Sequence, residues 1–437
     1  MHYDVIIVGG GAAGMTAAVQ LPPFLKILIL ERNDRLGKKI LATGNGRCNF
    51  SNTDLELTHF HGANPWFCEL LLHRYGAAAI RNLFLKWGLM SVVEEGRIYP
   101  YSRQAKSVRQ MFLNQLAMRP NVTIKTGHKV IAIRRVAGLQ IGDQLVSPRA
   151  GFEVCAQVAG SELQSDRSEW VTNTATNVLV CAGGKAAPGL GTDGSAYGLV
   201  TGFDHPIVPP RPALVQLICA DPSKKLAGIR LRCAAVLERD RTTNRPPVAI
   251  KGEILLTDYG LSGIPILDLS TYISSKLRDK PVTVRLDLMP ESSAKALLEH
   301  VIERRRTFSD LPAVQWGTSF LPQAVSAYLL QTIVGKRSKN MTMGRLNMKR
   351  LEALVKMAKE WPRQVVDSKG FQHAQVTAGG IDTGAFDPET LESLICPGLF
   401  CAGEMLDVHG DCGGYNLHWA WVSGLAAAAG IGAKYRS

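Results

Sequence analysis

At both ends of the chain, short and wholly apolar runs break into glycine-rich turns, whereas the middle changes its period twice. Val5 to Val8 is a β-branched run followed by Gly9-Gly-Gly-Ala-Ala-Gly14 and an Ala-rich stretch, which predicts a buried parallel strand turning tightly into a helix. Ile27 to Leu30 reads as a second strand ending at Glu31. Helical patches follow around 65–87 and 103–117, then a strand pair near 122–135 and 152–158, then a strand from Asn177 to Ala182 that ends in Gly183-Gly184. Between 205 and 290, prolines (Pro206, Pro209, Pro210, Pro212, Pro246, Pro247) separate short β-rich runs such as Leu214–Cys219, Cys233–Glu238, Gly252–Thr257 and Val282–Leu286. Many short strands with turn signals suggest a small barrel or sandwich. From Ser292 to about Trp361 the period is helical, with apolar stripes at Ala294, Leu297, Leu298, Val301 and Ile302 and at Leu351, Leu354, Val355 and Ala358. Leu399 to Ala402 is strand-like again, and Gly413-Gly414 leads into an apolar, Ala-rich final helix.

The chemistry of the opening turn is specific. Gly9 permits the tight turn, Gly11 lets backbone approach a pyrophosphate, and Gly14 lets the helix pack close on the strand. Free amides at the helix start, with Ala12 and Ala13, face phosphate oxygens. Glu31, 17 residues past Gly14, can accept both ribose hydroxyls and disfavours a 2′-phosphate, so NADP suits this pocket poorly. The loop Gly37–Asn49 is polar and glycine-rich and can fold over an extended cofactor, which favours FAD over NAD. Glu404 and Asp407 can hold ribityl hydroxyls, and the amides of Gly413, Gly414 and Tyr415 can face the flavin pyrimidine edge, where a helix N-terminus stabilises negative charge on reduced flavin. The cofactor-facing set expected is Gly9, Gly11, Ala12, Ala13, Gly14, Glu31, Arg32, Lys38, Thr43, Gly44, Gly46, Arg47, Cys48, Val130, Ala182, Gly183, Gly184, Gly403, Glu404, Asp407, Gly413, Gly414, Tyr415 and Asn416. Lys185 and Asp193 lie close by in sequence to the same segment. The fold class expected is α/β, with a Rossmann-type FAD-binding domain built from both chain ends (1–190 and 364–437). Between these lie an inserted β-rich, barrel-like domain (205–290) and a basic helical subdomain (291–363).

Several segments resemble the BaiN/YhiN-like family of flavoproteins, NAD(P)/FAD-dependent oxidoreductases. They are the opening fingerprint, Ala42–Asn49 (Ala-Thr-Gly-Asn-Gly-Arg-Cys-Asn), Gly96–Ser102, Cys181–Lys185, Thr257–Gly263, Val376–Ile381 and Gly403–Asn416, in order along almost the whole chain. Cys412 and His418 stand where other small or polar residues are expected, and Gly151 to Glu169 is looser than the family pattern. The resemblance implies FAD, a three-part architecture and redox chemistry, but not one agreed substrate.

Composition sharpens this picture in three ways. At 437 residues and 46% apolar, the chain can bury a large core. No transmembrane span or signal peptide is evident, and nine cysteines are scattered with no C-x-x-C pair, which fits a reducing cytoplasm and argues against a dithiol reductase. Cys48 and Cys412 fall in the expected cofactor loops, where they either touch flavin or fill space; the second reading is preferred. The net charge is +13, and residues 301–363 hold twelve Lys/Arg against four acids, +8 of that total. Such clustering is the footprint of a polyanion partner or merely a solvated basic face. Arg304, Arg305, Arg306, Lys336, Arg337, Lys339, Arg345, Lys349 and Arg350 are the candidate RNA contacts.

Three functions follow from these residues. The first is reduction of an activated C=C bond in a uridine of structured (ribosomal) RNA, with the base flipped toward the flavin, giving dihydrouridine. The second is the same hydride transfer to a small conjugated enone, sterol-like or other. The third is a non-catalytic flavin-bound sensor or assembly factor. NAD(P)H is the expected donor, although no second G-x-G-x-x-G follows a predicted strand. A reductase needs a proton donor beside the acceptor carbon, and Tyr415, His409, His418 and Tyr259 are the candidates. Neither a metal site nor an oligomeric state is legible.

Overall fold

The strand His2–Val8 is buried along almost its whole length, as a strand must be when covered on both faces. In this computed structural model it runs parallel to Ile27–Leu30 on one edge and to Trp170–Val180 on the other. Val122–Lys125 extends the sheet beyond Ile27–Leu30. Leu399–Cys401 joins parallel to the far edge of Trp170–Val180, so a strand from the last forty residues shares the sheet of the opening fingerprint. The structure describes residues 1–137, 139–141, 144–147, 151–159, 170–237, 247–274, 277 and 280–436. Three expectations fall wholly or partly outside these: the loose stretch ending at Glu169, Glu238 at the end of a predicted strand, and the break at Pro246; the side chain of Lys339 is outside them as well.

The chain divides into two compact units, Met1–Pro212 with Gln375–Ser437, and Ala213–Ala374. In the first unit the run predicted as one strand over 122–135 breaks at Gly127, whose φ is +68°. Val122–Lys125 pairs with Ile27–Leu30, whereas His128–Val136 pairs antiparallel with Gly151–Val158. Gly151–Val158 in turn pairs antiparallel with the first half of Trp170–Val180. The first helix, Ala12–Gln20, packs on the last, Tyr415–Ala433. The last helix is buried on nearly every face, which explains its Ala- and Gly-rich composition. Their approach is so close that a Cβ on Gly424 would stand 2.5 Å from the Ala13 carbonyl oxygen.

The second unit holds a closed barrel of six strands in the order Leu217–Cys219, Gly260–Ser262, Val248–Leu256, Arg230–Leu237, Val282–Asp287 and Trp361–Ser368. The helices Ala294–Thr307, Gln323–Val334 and Met348–Lys359 are inserted between its last two strands and share its hydrophobic core. Two sequence-based boundaries shift accordingly. Position 364 falls inside the closing barrel strand, where Trp361, Arg363 and Val365 are buried and Pro362, Gln364 and Val366 exposed, the two-residue period of a half-buried strand. At the other end, Ile207–Ala213 is not part of the barrel but pairs with Val376–Ile381. Its three prolines suit a two-stranded ribbon with an unpaired edge. Among the described residues no helix is long and apolar enough to cross a membrane.

The helix pair yields a stability prediction. Gly424→Val places atoms where the Ala13 carbonyl now sits, so unfolding free energy should fall by about 1–3 kcal/mol or more. Urea unfolding of variant and wild type checks it; an unchanged midpoint would contradict the packing described.

Candidate functional site

One cleft in the first unit gathers the opening turn Gly9–Ala13, Glu31 to Asn33, Lys38 to Ile40, Cys181–Gly184, Leu190–Ala196, and Gly403, Glu404 and Asn416 from the C-terminal segment. The glycines of the turn are required for different reasons. A Cβ on Gly9 (φ +106°) would stand 2.7 Å from the Cys181 carbonyl oxygen, and one on Gly14 would stand 2.0 Å from the Gly9 carbonyl oxygen. A Cβ on Gly11 would meet nothing within 4 Å, yet Gly11 lines the cleft. Two glycines therefore hold strand, turn and helix together, and the third leaves the floor of the cleft bare for a ligand. That bare floor at the start of a buried helix suits the pyrophosphate of FAD.

The acids of the cleft wall are each engaged. Glu31, 7% exposed, accepts from the Gly10 amide at 2.8 Å through one oxygen and from the Asn33 amide and side chain through the other. Glu404 takes Lys39 Nζ at 2.7 Å and the Thr377 amide at 2.9 Å. Asp193 pairs with Arg32 at 2.8 Å. Burial alone would raise the Asp193 carboxyl, but hydrogen bonds from Ser195 and Arg32 outweigh it and hold the group well below the usual carboxylate range. Lys39, Asn33 and Thr377 escaped sequence reasoning, because a lysine next to another lysine carries no motif and its partner Glu404 is remote in sequence.

The far end of the cleft is formed by the start of the last helix. Gly414 (φ +99°) caps that helix, and its first internal bond runs from the His418 amide to the Gly414 carbonyl. The amides preceding His418 have no helical partner, and Asn416 and Leu417 line the cleft. A 19-residue helix presents its positive end there, which favours negative charge on a reduced flavin.

Of the expected cofactor set, Gly9, Gly11, Ala12, Ala13, Glu31, Arg32, Lys38, Thr43, Val130, Ala182, Gly183, Gly184, Gly403, Glu404 and Asn416 line this cleft. The others are placed elsewhere. Gly14 sits beneath the turn, against Gly9 and Cys181. Gly44, Gly46, Arg47 and Cys48 belong to the loop beyond Thr43; Arg47 lies over the Tyr99 ring, and Cys48 is fully buried with its thiol pushed up to about 12 by burial. Trp421 Nε1 holds that loop by donating to the Phe50 carbonyl at 2.9 Å. Asp407 is 2% exposed and accepts from the Ala63 amide at 2.7 Å, so its carboxylate supports the Gly62–Ala63 turn rather than the cleft. Gly413 and Gly414 pack on Tyr415 and Ser51, where a Cβ would clash.

The proton-donor candidates separate. Tyr415 is 5% exposed and stacked on His59 at 4.6 Å. His418 faces the core, with Nδ1 2.9 Å from Ser51 Oγ, and burial pushes it down to about 4. It sits one turn inside a buried helix. His409 is 5% exposed, neither ring nitrogen has a partner among the described residues, and burial pushes it down to about 3. Tyr259 belongs to the barrel unit, with Lys369 Nζ over its ring at 4.5 Å. Sequence reasoning missed a cluster of His59, His61, Asp54 and Asp411 beside His409, because its members are brought together by the two-stranded pairing of Phe60–His61 with His409–Gly410.

The basic helical insert is less free than its composition suggests. Arg304 donates to the Gln315 carbonyl and lies over Phe308, Arg306 pairs with Glu303, Lys359 pairs with Asp287, and Arg363 is buried on Ser223. Arg305 and Arg350 are half-buried and make only long bonds to backbone carbonyls. Lys336, Arg337, Arg345 and Lys349 are exposed with no acidic partner among the described residues. Among the described residues no group of His, Cys, Asp and Glu could hold a metal.

Two outcomes test this geometry. Gly11→Val should fold normally, since its side chain enters open space, but should lose bound FAD, read from flavin absorbance per chain. A yellow variant with wild-type stoichiometry would sink the assignment of the cleft. The second concerns pH. His418 is neutral when folded and has its ordinary value when unfolded, so its contribution is full above about pH 6.5 and is lost as pH falls toward 4. Wild type should therefore lose about 2–3 kcal/mol more than His418→Gln between neutrality and about pH 4.5 in urea unfolding.

Comparison with known proteins agrees with the geometry. The model of the HI0933-like protein Rossmann domain matches residues 3–430. A 3-dehydro-bile acid delta(4,6)-reductase of Clostridium scindens is 35% identical, over 96% of this chain and 97% of the relative. Proteins named ribosomal RNA dihydrouridine synthase from Haemophilus influenzae and Escherichia coli are 28% and 26% identical, each over 98% of this chain and 98% and 97% of their own lengths. The chain belongs to the HI0933-like Rossmann family of flavoprotein oxidoreductases.

Proposed function

We propose that this chain reduces a C=C bond conjugated to a carbonyl, with FAD as its redox cofactor, NAD(P)H as external donor and a uridine of structured ribosomal RNA as acceptor, giving dihydrouridine in the cytoplasm. The observation that carries the acceptor is the set of exposed cations Lys336, Arg337, Arg345 and Lys349, which have no acidic partner among the described residues. Two relatives that span almost the whole chain bear the name ribosomal RNA dihydrouridine synthase, which supports the same reading. FAD supplies the hydride when bound. Gly9, Gly11 and the helix from Ala12 would hold its pyrophosphate, Glu31 its ribose, and the start of the last helix at Asn416 its pyrimidine edge.

A second reading, reduction of a small conjugated enone, is favoured by the 35% identical relative named as a bile acid reductase. The uracil ring and an enone present the same acceptor, a C=C bond polarised by a carbonyl, so one hydride-transfer site suits either. The difference lies in what docks the substrate, and phosphate neutralisation would make RNA affinity fall steeply with salt.

The experiment is anaerobic reduction of the purified yellow protein by NADH or NADPH, then reoxidation by a ribosomal RNA fragment or by a small enone, with nucleoside analysis of RNA from cells lacking the protein. The RNA reading expects missing dihydrouridine in those cells. It also expects Lys336→Glu with Arg337→Glu to lower RNA affinity on the order of tenfold or more at low salt while leaving bound FAD intact. Unchanged dihydrouridine with salt-insensitive RNA binding would move the enone to first place.

A further inference from the structure

Four titratable side chains in the first unit form a hydrogen-bonded line from solvent inward. The Asp54 side chain is 54% exposed, and its Oδ2 lies 3.1 Å from His59 Nε2. His59 Nδ1 lies 3.0 Å from Asp411 Oδ2, and Asp411 Oδ1 lies 2.7 Å from His61 Nε2. Exposure falls along the line, from 54% at Asp54 through 29% at His59 and 20% at Asp411 to 17% at His61. Beyond His61 stands His409, directly opposite it across the strand pair and 5.4 Å from it between ring centres. Among the described residues neither ring nitrogen of His409 has a partner although it is 5% exposed, an arrangement that costs free energy unless something else uses those atoms. The inner end also adjoins the cleft. Asn416, which lines the cleft, clasps the Gly410 amide and carbonyl at 2.8 Å, and Val408 lines the cleft one residue before His409.

We infer that Asp54, His59, Asp411 and His61 are a proton-delivery line ending at His409, and that it supplies the proton consumed when the C=C bond is reduced. This rests on the reductase reading above. Saturating the bond takes a hydride from the reduced cofactor to the β carbon, which breaks the π bond and shifts its electron pair toward the carbonyl. The α carbon then takes the N–H proton of His409 as the other ring nitrogen takes one from the line, so no imidazolate forms; the cofactor is left oxidised, and solvent replaces the proton at Asp54. His409 suits the last step, since a neutral imidazole carries one N–H and one lone pair. Asp54, His59, Asp411 and His61 act through it and are positioning residues.

The electrostatics agree. Burial opposes charge on His59, but the hydrogen bonds it donates to Asp411 and Asp54 overcome it and raise His59 above its ordinary value. Burial likewise opposes charge on Asp411, and His61 and His59 hold it low. The other groups facing the line are Tyr415, stacked on His59, and Arg211, whose charge together with that of His61 adds to burial in pushing His409 down. Asp411 accordingly favours a proton on His59, whereas burial keeps His409 neutral, the polarity a delivery line needs.

The test uses the FAD-loaded protein, reduced anaerobically and mixed either with 2-cyclohexenone, whose reduction needs a proton at carbon, or with ferricyanide, whose reduction does not. In His61→Gln the ratio of the enone rate to the ferricyanide rate should fall about tenfold or more, and the enone rate should lose the wild-type decline at alkaline pH. External imidazole should restore the ratio in His59→Gly, the solvent-side member, which a merely structural role would not allow. Independently of turnover, proton NMR titration should show one histidine above its ordinary value in wild type, moved down in Asp411→Asn. An unchanged ratio and pH profile in His61→Gln, or no movement of the titrating histidine in Asp411→Asn, overturns the line alone. A wild-type protein reoxidised by neither the enone nor uridine-containing RNA overturns the reductase reading and, with it, the line.

Discussion

The strand Trp170–Val180 is the member on which the first unit depends. Its second half carries His2–Val8 on one edge and Leu399–Cys401 on the other, both parallel. Its end runs directly into Cys181–Gly184, one wall of the cleft. The opening turn touches that end so closely that Gly9 has no room for a side chain against Cys181 and Ala182. Sheet pairing thus sets the distance between the glycine-rich turn near residue 10 and the acid- and helix-bearing segment after residue 400. The loops around the cleft add detail to a separation that backbone hydrogen bonds already define.

Within the cleft, fixed charge is balanced before any ligand arrives. Glu31 is answered by two amides and an amide side chain, Glu404 by Lys39, Asp193 by Arg32. An anionic ligand meets engaged acids, Lys38, Lys129 and the positive end of a helix rather than a row of bare carboxylates. The bare backbone at Gly11 is left open on the floor of the cleft. Such a site loses little reorganisation energy on binding, because its neighbours are already fixed by other bonds.

The sequence made the frame legible where one residue type answers one local demand. Gly9 and Gly14 could be assigned because a turn between strand and helix admits nothing larger, and Glu31 because it ends a strand at a fixed offset. The closing turn at Gly414 was readable for the same reason, whereas the Asp407 bond to the Ala63 amide was not, because an acid after a strand looks the same whether it faces a cofactor or a nearby amide. The barrel boundary at Trp361–Ser368 was missed since a strand that follows three helices reads as a return to the parent domain. The histidine line was illegible altogether. Its partners lie about 350 residues apart, and nothing in either segment records that Phe60 will pair with Gly410. The basic insert was readable only as a charge total, because composition cannot reveal that Arg306 faces Glu303 or that Arg363 is buried.

The order in which strands close has a consequence for synthesis on the ribosome. Leu217–Cys219 emerges early but completes its barrel with Trp361–Ser368, after three helices have been made. The sheet begun by His2–Val8 waits still longer, for Leu399–Cys401 and for the helix Tyr415–Ala433 that covers Ala12–Gln20. The first unit cannot close until these two segments are made, and until then the nascent chain carries an open sheet edge. A ribosome that stops early therefore releases not a shorter enzyme but an open sheet edge, the kind of surface that chaperones hold and other open edges join.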